Sequence, residues 1–221
     1  MNVASCGWQV VQSGVRCPAC RTPAIETDAA CRQCGFSLEV ADRSFGIPPS
    51  LQRPIADTGG VLGGFAQRRV MHAITSVERR FPQLAIAAVL TEVPPQVPLA
   101  AYAFWLFNRG RLSSAVETGG ENRQVMLLID TNSDRAIAMV GYGMEPFLQE
   151  LHLQTCLQAA QQPLEHGRFG PAIESFVREL DRQLCGLCSL MPRQFGLNQE
   201  ERWLDASAPG EGAVGMAESY Y

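Results

Sequence analysis

The stretch Val125-Met-Leu-Leu-Ile-Asp130-Thr-Asn-Ser-Asp134-Arg-Ala-Ile-Ala-Met-Val140-Gly-Tyr-Gly-Met-Glu145 decides the fold. Its two apolar runs, Val125 to Ile129 and Ala136 to Val140, have no polar face, as strands buried on both sides do. The polar link from Asp130 to Asp134 suits a hairpin. Working outward, Leu84 to Leu90 is a third run of the same kind. Val70, Ile74, Val77 and Phe81 recur on one face of a helix over 65–81. Pro98 to Asn108 reads as a short helix packed by Tyr102, Trp105, Leu106 and Phe107. Two further helices are expected near 146–162 and 171–186. Pro171 stands at the first turn of the second, whose buried stripe is Ile173, Val177, Leu180 and Leu184. Strands buried on both faces need helices on both, so the fold class is α/β, a three-layer α/β/α sandwich.

A second pattern lies near the start: Cys17-Pro-Ala-Cys20, then Cys31-Arg-Gln-Cys34-Gly35. Two Cys-x-x-Cys turns each aim a pair of sulfurs at one point, the arrangement of a closed tetrahedral zinc site. Two disulfides or an iron centre would use the same residues. Met1 to Val11 has no basic residue, and Ser5, Gly7 and Gln9 break its apolar run, so it is a poor export signal. Disulfides are therefore disfavoured, and structural Zn2+ on Cys17, Cys20, Cys31 and Cys34 is the expectation. So short a segment with few aliphatic residues needs the metal to fold.

The chain divides accordingly into a zinc ribbon over 1–44, a Pro- and Gly-rich linker over 45–64, an α/β/α domain over 65–195, and an acidic, disordered tail over 196–221. Charge supports the last boundary. The net charge of −4 lies wholly in the tail, where five acids face one arginine. All eighteen basic residues are arginine, and they balance the acids elsewhere, so no segment shows the basic excess of a nucleic-acid binder. The longest apolar stretch, Pro98 to Phe107, is about half the ~20 residues needed to span a bilayer. A cytoplasmic protein is the expectation.

The other cysteines read as inert. Cys185-Gly-Leu-Cys188 falls at a predicted helix C-terminus, where the dipole raises a thiol pKa, and Cys156 faces the core. Cys6 has no ligand role. No cysteine has the arginine six residues on that a cysteine phosphatase requires. The histidines, His72, His152 and His166, form no spaced ligand pair.

The run Arg135-Ala-Ile-Ala-Met-Val-Gly141-Tyr-Gly143-Met-Glu145, with Pro163-Leu-Glu-His-Gly167-Arg-Phe before the last helix, resembles the TPM-domain family. That group includes thylakoid-lumen acid-phosphatase-like proteins and bacterial membrane or secreted proteins. The likeness covers about residues 65–186. It implies a small mixed sheet within the sandwich; Gly141 and Gly143, as glycines at a strand's end, are themselves expected to turn sharply through positive φ. It also implies either acid phosphatase activity with a divalent cation such as Ca2+, or an accessory role in membrane complexes. Glu145 matches the family's glutamate after the glycine turn, and Glu150 stands where many members have aspartate. With Asp130 at a strand end, these would form a weak acidic cation site. The alternatives are a hairpin acid at Asp130, a helix-dipole partner at Glu145 and a solvated Glu150. Arg123-Gln124 and Arg168 replace turn and acidic positions of the family, which weighs against a cation. The leading expectation is a non-catalytic module that binds protein partners and associates peripherally with a membrane complex, Tyr102, Trp105 and Phe107 being candidate contacts. A divalent-metal phosphatase and a zinc-ribbon nucleic-acid-associated protein are the alternatives.

Overall fold

A computed structural model describes residues 9–11, 16–24, 28–112 and 122–194. Cys6 and the acidic tail over 196–221 lie outside these described residues. In chain order the elements are β1 (Gln9–Val11), α1 (Leu38–Phe45), β2 (Ile55–Asp57), α2 (Gly64–Arg80), β3 (Ala85–Thr91), α3 (Leu99–Arg109), β4 (Gln124–Asp130), β5 (Arg135–Val140), α4 (Glu150–Glu165) and α5 (Phe169–Gln194). Two compact units result, Met1–Gln183 and Leu184–Tyr221. The first holds the whole sheet and the cysteines 17–34.

Among the described residues the sheet has five strands in the order β1-β5-β4-β3-β2. The three apolar runs are its centre, and β4 is buried at every position. Polar Asp130 to Arg135 closes the antiparallel β4–β5 hairpin. The other pairings, β1 with β5, β3 with β4 and β2 with β3, are parallel, so the sheet is mixed. Because side chains alternate along a strand, Ala87, Val89, Met126, Leu128, Ile137 and Met139 share one face. They form a core with α3 and Ala41 of α1. The residues between them point to the other face, which α2 and α4 cover. Helix α5 is tied beside α2 by the ion pairs Arg69–Glu174 and Arg80–Asp181.

Three elements fall where none is expected. The stretch 45–64, read as a linker, contains β2, whose residues pair with Ala88, Val89 and Leu90. The stretch 1–44, read as a ribbon, contributes β1 to the sheet edge and α1 to the layer over α3. Neither three-residue strand is long enough to display an alternation.

Helix α1 is capped at its start by Ser37, whose hydroxyl accepts from the Val40 amide, and at its end by Gly46 with φ of 83°. It settles on the aromatic side of α3, where Phe45 meets Tyr102 and Trp105 at centroid distances of 5.5 and 5.3 Å. The Asp42 carboxylate accepts the Trp105 indole N–H at 2.8 Å and pairs with Arg109 at 2.9 Å. Trp105 is 1% exposed, so its N–H depends on that acceptor. Tyr102 and Phe107 are half-buried; of the three aromatics expected as contacts, Trp105 is core. Removing the acceptor strands a buried donor, at a cost of about 1–3 kcal/mol. The Arg109 pair adds little, being partly exposed. Asp42→Ala is expected to lower stability by about 2 kcal/mol in denaturant unfolding, and Asp42→Asn, which keeps an acceptor, to recover most of it.

Candidate metal centre

The four cysteines sit on two turns of the same construction. In the first, the Arg21 amide donates to the Cys17 carbonyl and the Cys17 amide to the Thr22 carbonyl, both at 2.8 Å. In the second, the Gly35 amide donates to the Cys31 carbonyl at 2.8 Å and the Cys31 amide to the Phe36 carbonyl at 2.9 Å. Each turn passes through a left-handed residue directly after its second cysteine, Arg21 at φ of 62° and Gly35 at 72°. Gly35, without a Cβ, adopts this conformation freely. Arg21 plays the same part without a glycine's freedom, which is why the residue types did not reveal it. Arg16 and Pro23 bridge across the base of the first turn.

These turns bring Cys17, Cys20, Cys31 and Cys34 together, with their sulfurs all within 4.8 Å of one another. The Cys17–Cys34 and Cys20–Cys31 sulfurs are each 3.7 Å apart. Metal–sulfur bonds of about 2.3 Å in a regular tetrahedron put sulfurs about 3.8 Å apart. The spacing suits one tetrahedral metal ion, and it is far from a disulfide's bond length of about 2.05 Å.

Electrostatics point the same way. The Thr22 hydroxyl, 2.8 Å away, and the Thr22 amide lower Cys20 to about 6. At Cys34 the Phe36 amide favours the thiolate, yet desolvation and the neighbouring sulfurs outweigh it and push the thiol up to about 12. Burial raises Cys17 as well. Four adjacent thiols cannot all ionise unaided, and a dication supplies the charge that lets them.

The acids expected to form a second site are placed differently. Asp130 is 1% exposed at the end of β4. Its carboxylate accepts from the amides of Val93 at 3.1 Å and Asn132 at 3.2 Å, from the Ser133 hydroxyl, and from Arg135 at 2.9 Å. Burial alone would raise its pKa, but these donors, Ser133 foremost, hold it below the usual carboxylate value. Glu145 lies in the turns over 142–147, short of the helix. Helix α4 begins only at Glu150, so the acid in its first turn is Glu150, whose carboxylate also accepts from Gln154 at 3.0 Å. Among the described residues, only the cysteine quartet gathers three or more potential metal ligands within 4.8 Å.

Other expectations are refined by the same detail. Gly141 and Gly143 are not among the positive-φ residues. A Cβ on Gly141 would stand 2.2 Å from the Asn122 carbonyl oxygen, so close approach of the 122–124 backbone is what requires a glycine there. His152 caps its own helix by accepting from the Gln149 amide at 3.1 Å, and His166 meets the Gln162 carbonyl at 2.7 Å. Burial pushes Cys156 up to about 12. Cys185 and Cys188 lie within α5, which extends to Gln194, and not at its C-terminal end.

The family model described as the TPM domain matches residues 55–183. The chain belongs to the TPM-domain family. Its TPM domain opens with β2, ten residues before the boundary expected at 65, and leaves β1, the cysteine turns and α1 outside. Among solved structures, BA42 protein from the psychrophilic bacterium Bizionia argentinensis is 12% identical, with a TM-score of 0.50 over 59% of this chain and 86% of that one; the likeness is one of fold. The N-terminal domain of a protein from P. gingivalis is 18% identical, with a TM-score of 0.49 over 61% of this chain and 83% of that one. No curated protein matches the chain. Among the described residues, no helix is long and apolar enough to cross a membrane.

Two measurements check the centre. Protein purified without chelator is expected to carry one equivalent of metal by elemental analysis, and Cys17→Ser to lose it. A Cβ at Gly35 meets nothing within 4 Å, so its cost is that of the left-handed backbone alone. Gly35→Ala is expected to weaken the metal-bound fold by about 1–2 kcal/mol in thermal unfolding, and Arg21→Gly to strengthen it by a comparable amount.

Proposed function

We propose that the protein is a non-catalytic accessory module in which one structural zinc ion holds the N-terminal turns, and the TPM domain beside them serves protein partners. The observation that carries this reading is the count of ligands: four sulfurs fill four tetrahedral positions, leaving none for water or substrate. A soft, all-thiolate set favours zinc over the oxygen-seeking dications. Its role would be to brace α1, which begins four residues after Cys34 and covers the aromatic side of α3. Thiolate ligands, with Cys156 and Cys188 also present as thiols, suit a reducing compartment such as the cytoplasm. Partners in a membrane-associated complex would then be met from that side.

Asp130 supports the same reading. A carboxylate at a strand end is where a cation or phosphate site would be sought in an open α/β sheet. Here its oxygens are already taken by Val93, Asn132, Ser133 and Arg135. A generic aryl phosphate, offered with magnesium or calcium, is expected to be hydrolysed no faster by the protein than by its Glu145→Gln variant. Cation-dependent release that disappears in that variant would establish the phosphatase instead. A retarded nucleic-acid band at low salt would favour the ribbon as a nucleic-acid module; none is expected.

A further inference from the structure

Away from the cysteines, helix α2 carries a surface that neither the metal nor the sheet explains. It turns Val70, Ile74 and Val77 inward. Its single acid, Glu78, is held by Arg53 at 2.7 Å and by the Ile86 amide at 2.8 Å. Two of its arginines are engaged with α5, Arg69 on Glu174 and Arg80 on Asp181. The solvent side keeps Phe65, Arg68, His72 and Arg79, all exposed, with no acid among them. Among the described residues, no ion pair involves Arg68 or Arg79.

The spacing of these two arginines restricts what they can meet. Eleven residues of helix bring Arg79 to within about 20° of the direction of Arg68 and about 16 Å further along the axis. Two guanidiniums so far apart on one line suit a flat anionic partner and not a small ligand. Apolar side chains stand at the head of the same line. Phe65 is 68% exposed, and Val61, in the loop leading into the helix, is 42% exposed. That loop is held in place by Asp57, whose carboxylate accepts from the Val61 and Leu62 amides at 3.1 and 2.8 Å. The helix starts without a side-chain cap and without an acid in its first turn, so the positive end of its dipole adds to the arginines. Phe65, Arg68, Arg69, His72 and Ala73 line a shallow depression of about 310 Å3 there, together with Glu174 of α5, whose charge Arg69 meets.

We propose that this stripe of α2 is a docking surface for an anionic phospholipid bilayer, with Arg68 and Arg79 on the headgroups and Phe65 and Val61 at the acyl boundary. Charge with exposed apolar anchors at one end is the composition of a membrane-surface helix. A nucleic acid is less well served, since its affinity grows with a continuous track of cations, and α2 leaves two arginines unpaired. Because this surface contains no cysteine, the proposal stands apart from the zinc reading.

The test is sedimentation of the full chain with phosphatidylcholine vesicles that contain or lack phosphatidylserine, at low ionic strength. Pelleting with the anionic vesicles alone is expected, with release as salt is raised. A basic residue at such a surface strengthens binding about fivefold, so Arg68→Ala with Arg79→Ala should weaken partitioning on the order of twentyfold. Phe65→Ser should weaken it severalfold while leaving the salt dependence as it is. These side chains are exposed, and an unchanged melting temperature would verify that the variants fold. Equal pelleting with both vesicles, no effect of the double substitution, or binding to single-stranded RNA in preference to the vesicles would overturn the proposal.

Discussion

Burying β3, β4 and β5 on both faces is the constraint from which the rest of the architecture follows. A strand without a polar side stays soluble only inside a layer of helices. On one face α2 and α4 share that task. On the other, the eleven-residue α3 carries it, and α3 has an aromatic outer side of its own to cover. Helix α1 covers it. The N-terminal extension is thus a working part of the hydrophobic core, joined to it by the Asp42 carboxylate and the Trp105 indole.

This arrangement gives the cysteine turns a purpose. An eight-residue helix has little stability in isolation, since nucleating a helix is costly and short ones do not recover the cost. Helix α1 gains from being docked, and it gains again from being held at its entry. The second cysteine turn supplies that hold: the Phe36 carbonyl accepts from the Cys31 amide, Phe36 packs on Phe104 at 6.1 Å, and Ser37 caps the helix. Within a few residues the chain passes from clustered cysteine to core-packed aromatic to helix cap. A perturbation at the sulfurs therefore has a short covalent route to the face of the TPM domain.

The sequence was most legible where a physical signal is repeated. Apolar runs of seven and five residues located β3 and β4, and helical spacing located α2 and α5, because many residues vote together for one period. Two Cys-x-x-Cys pairs located the cysteine quartet because few uses other than metal binding require that spacing. The elements that escaped are short. Ile55–Asp57 and Gln9–Val11 become strands only because a longer neighbour offers them a ladder, and nothing local in three residues announces it. Arg21 escaped because a left-handed backbone is usually betrayed by a glycine, and Gly141 was understood for the wrong reason because close approach leaves no mark in the chain. Asp130 looked available at a strand end, whereas the hairpin that follows it supplies the donors that occupy it.

The brevity of β1 and β2 has one more effect. Among the described residues they are the two outer strands, and each adds a ladder only three residues long to its flank of the sheet. An unpaired flank is a template on which another molecule can add a strand, and its danger grows with its length. Here the long, oily central strands are kept from the margins, and one margin closes on the charge of Asp57. A protein with such an apolar sheet is in this way guarded against growing into a polymer of itself.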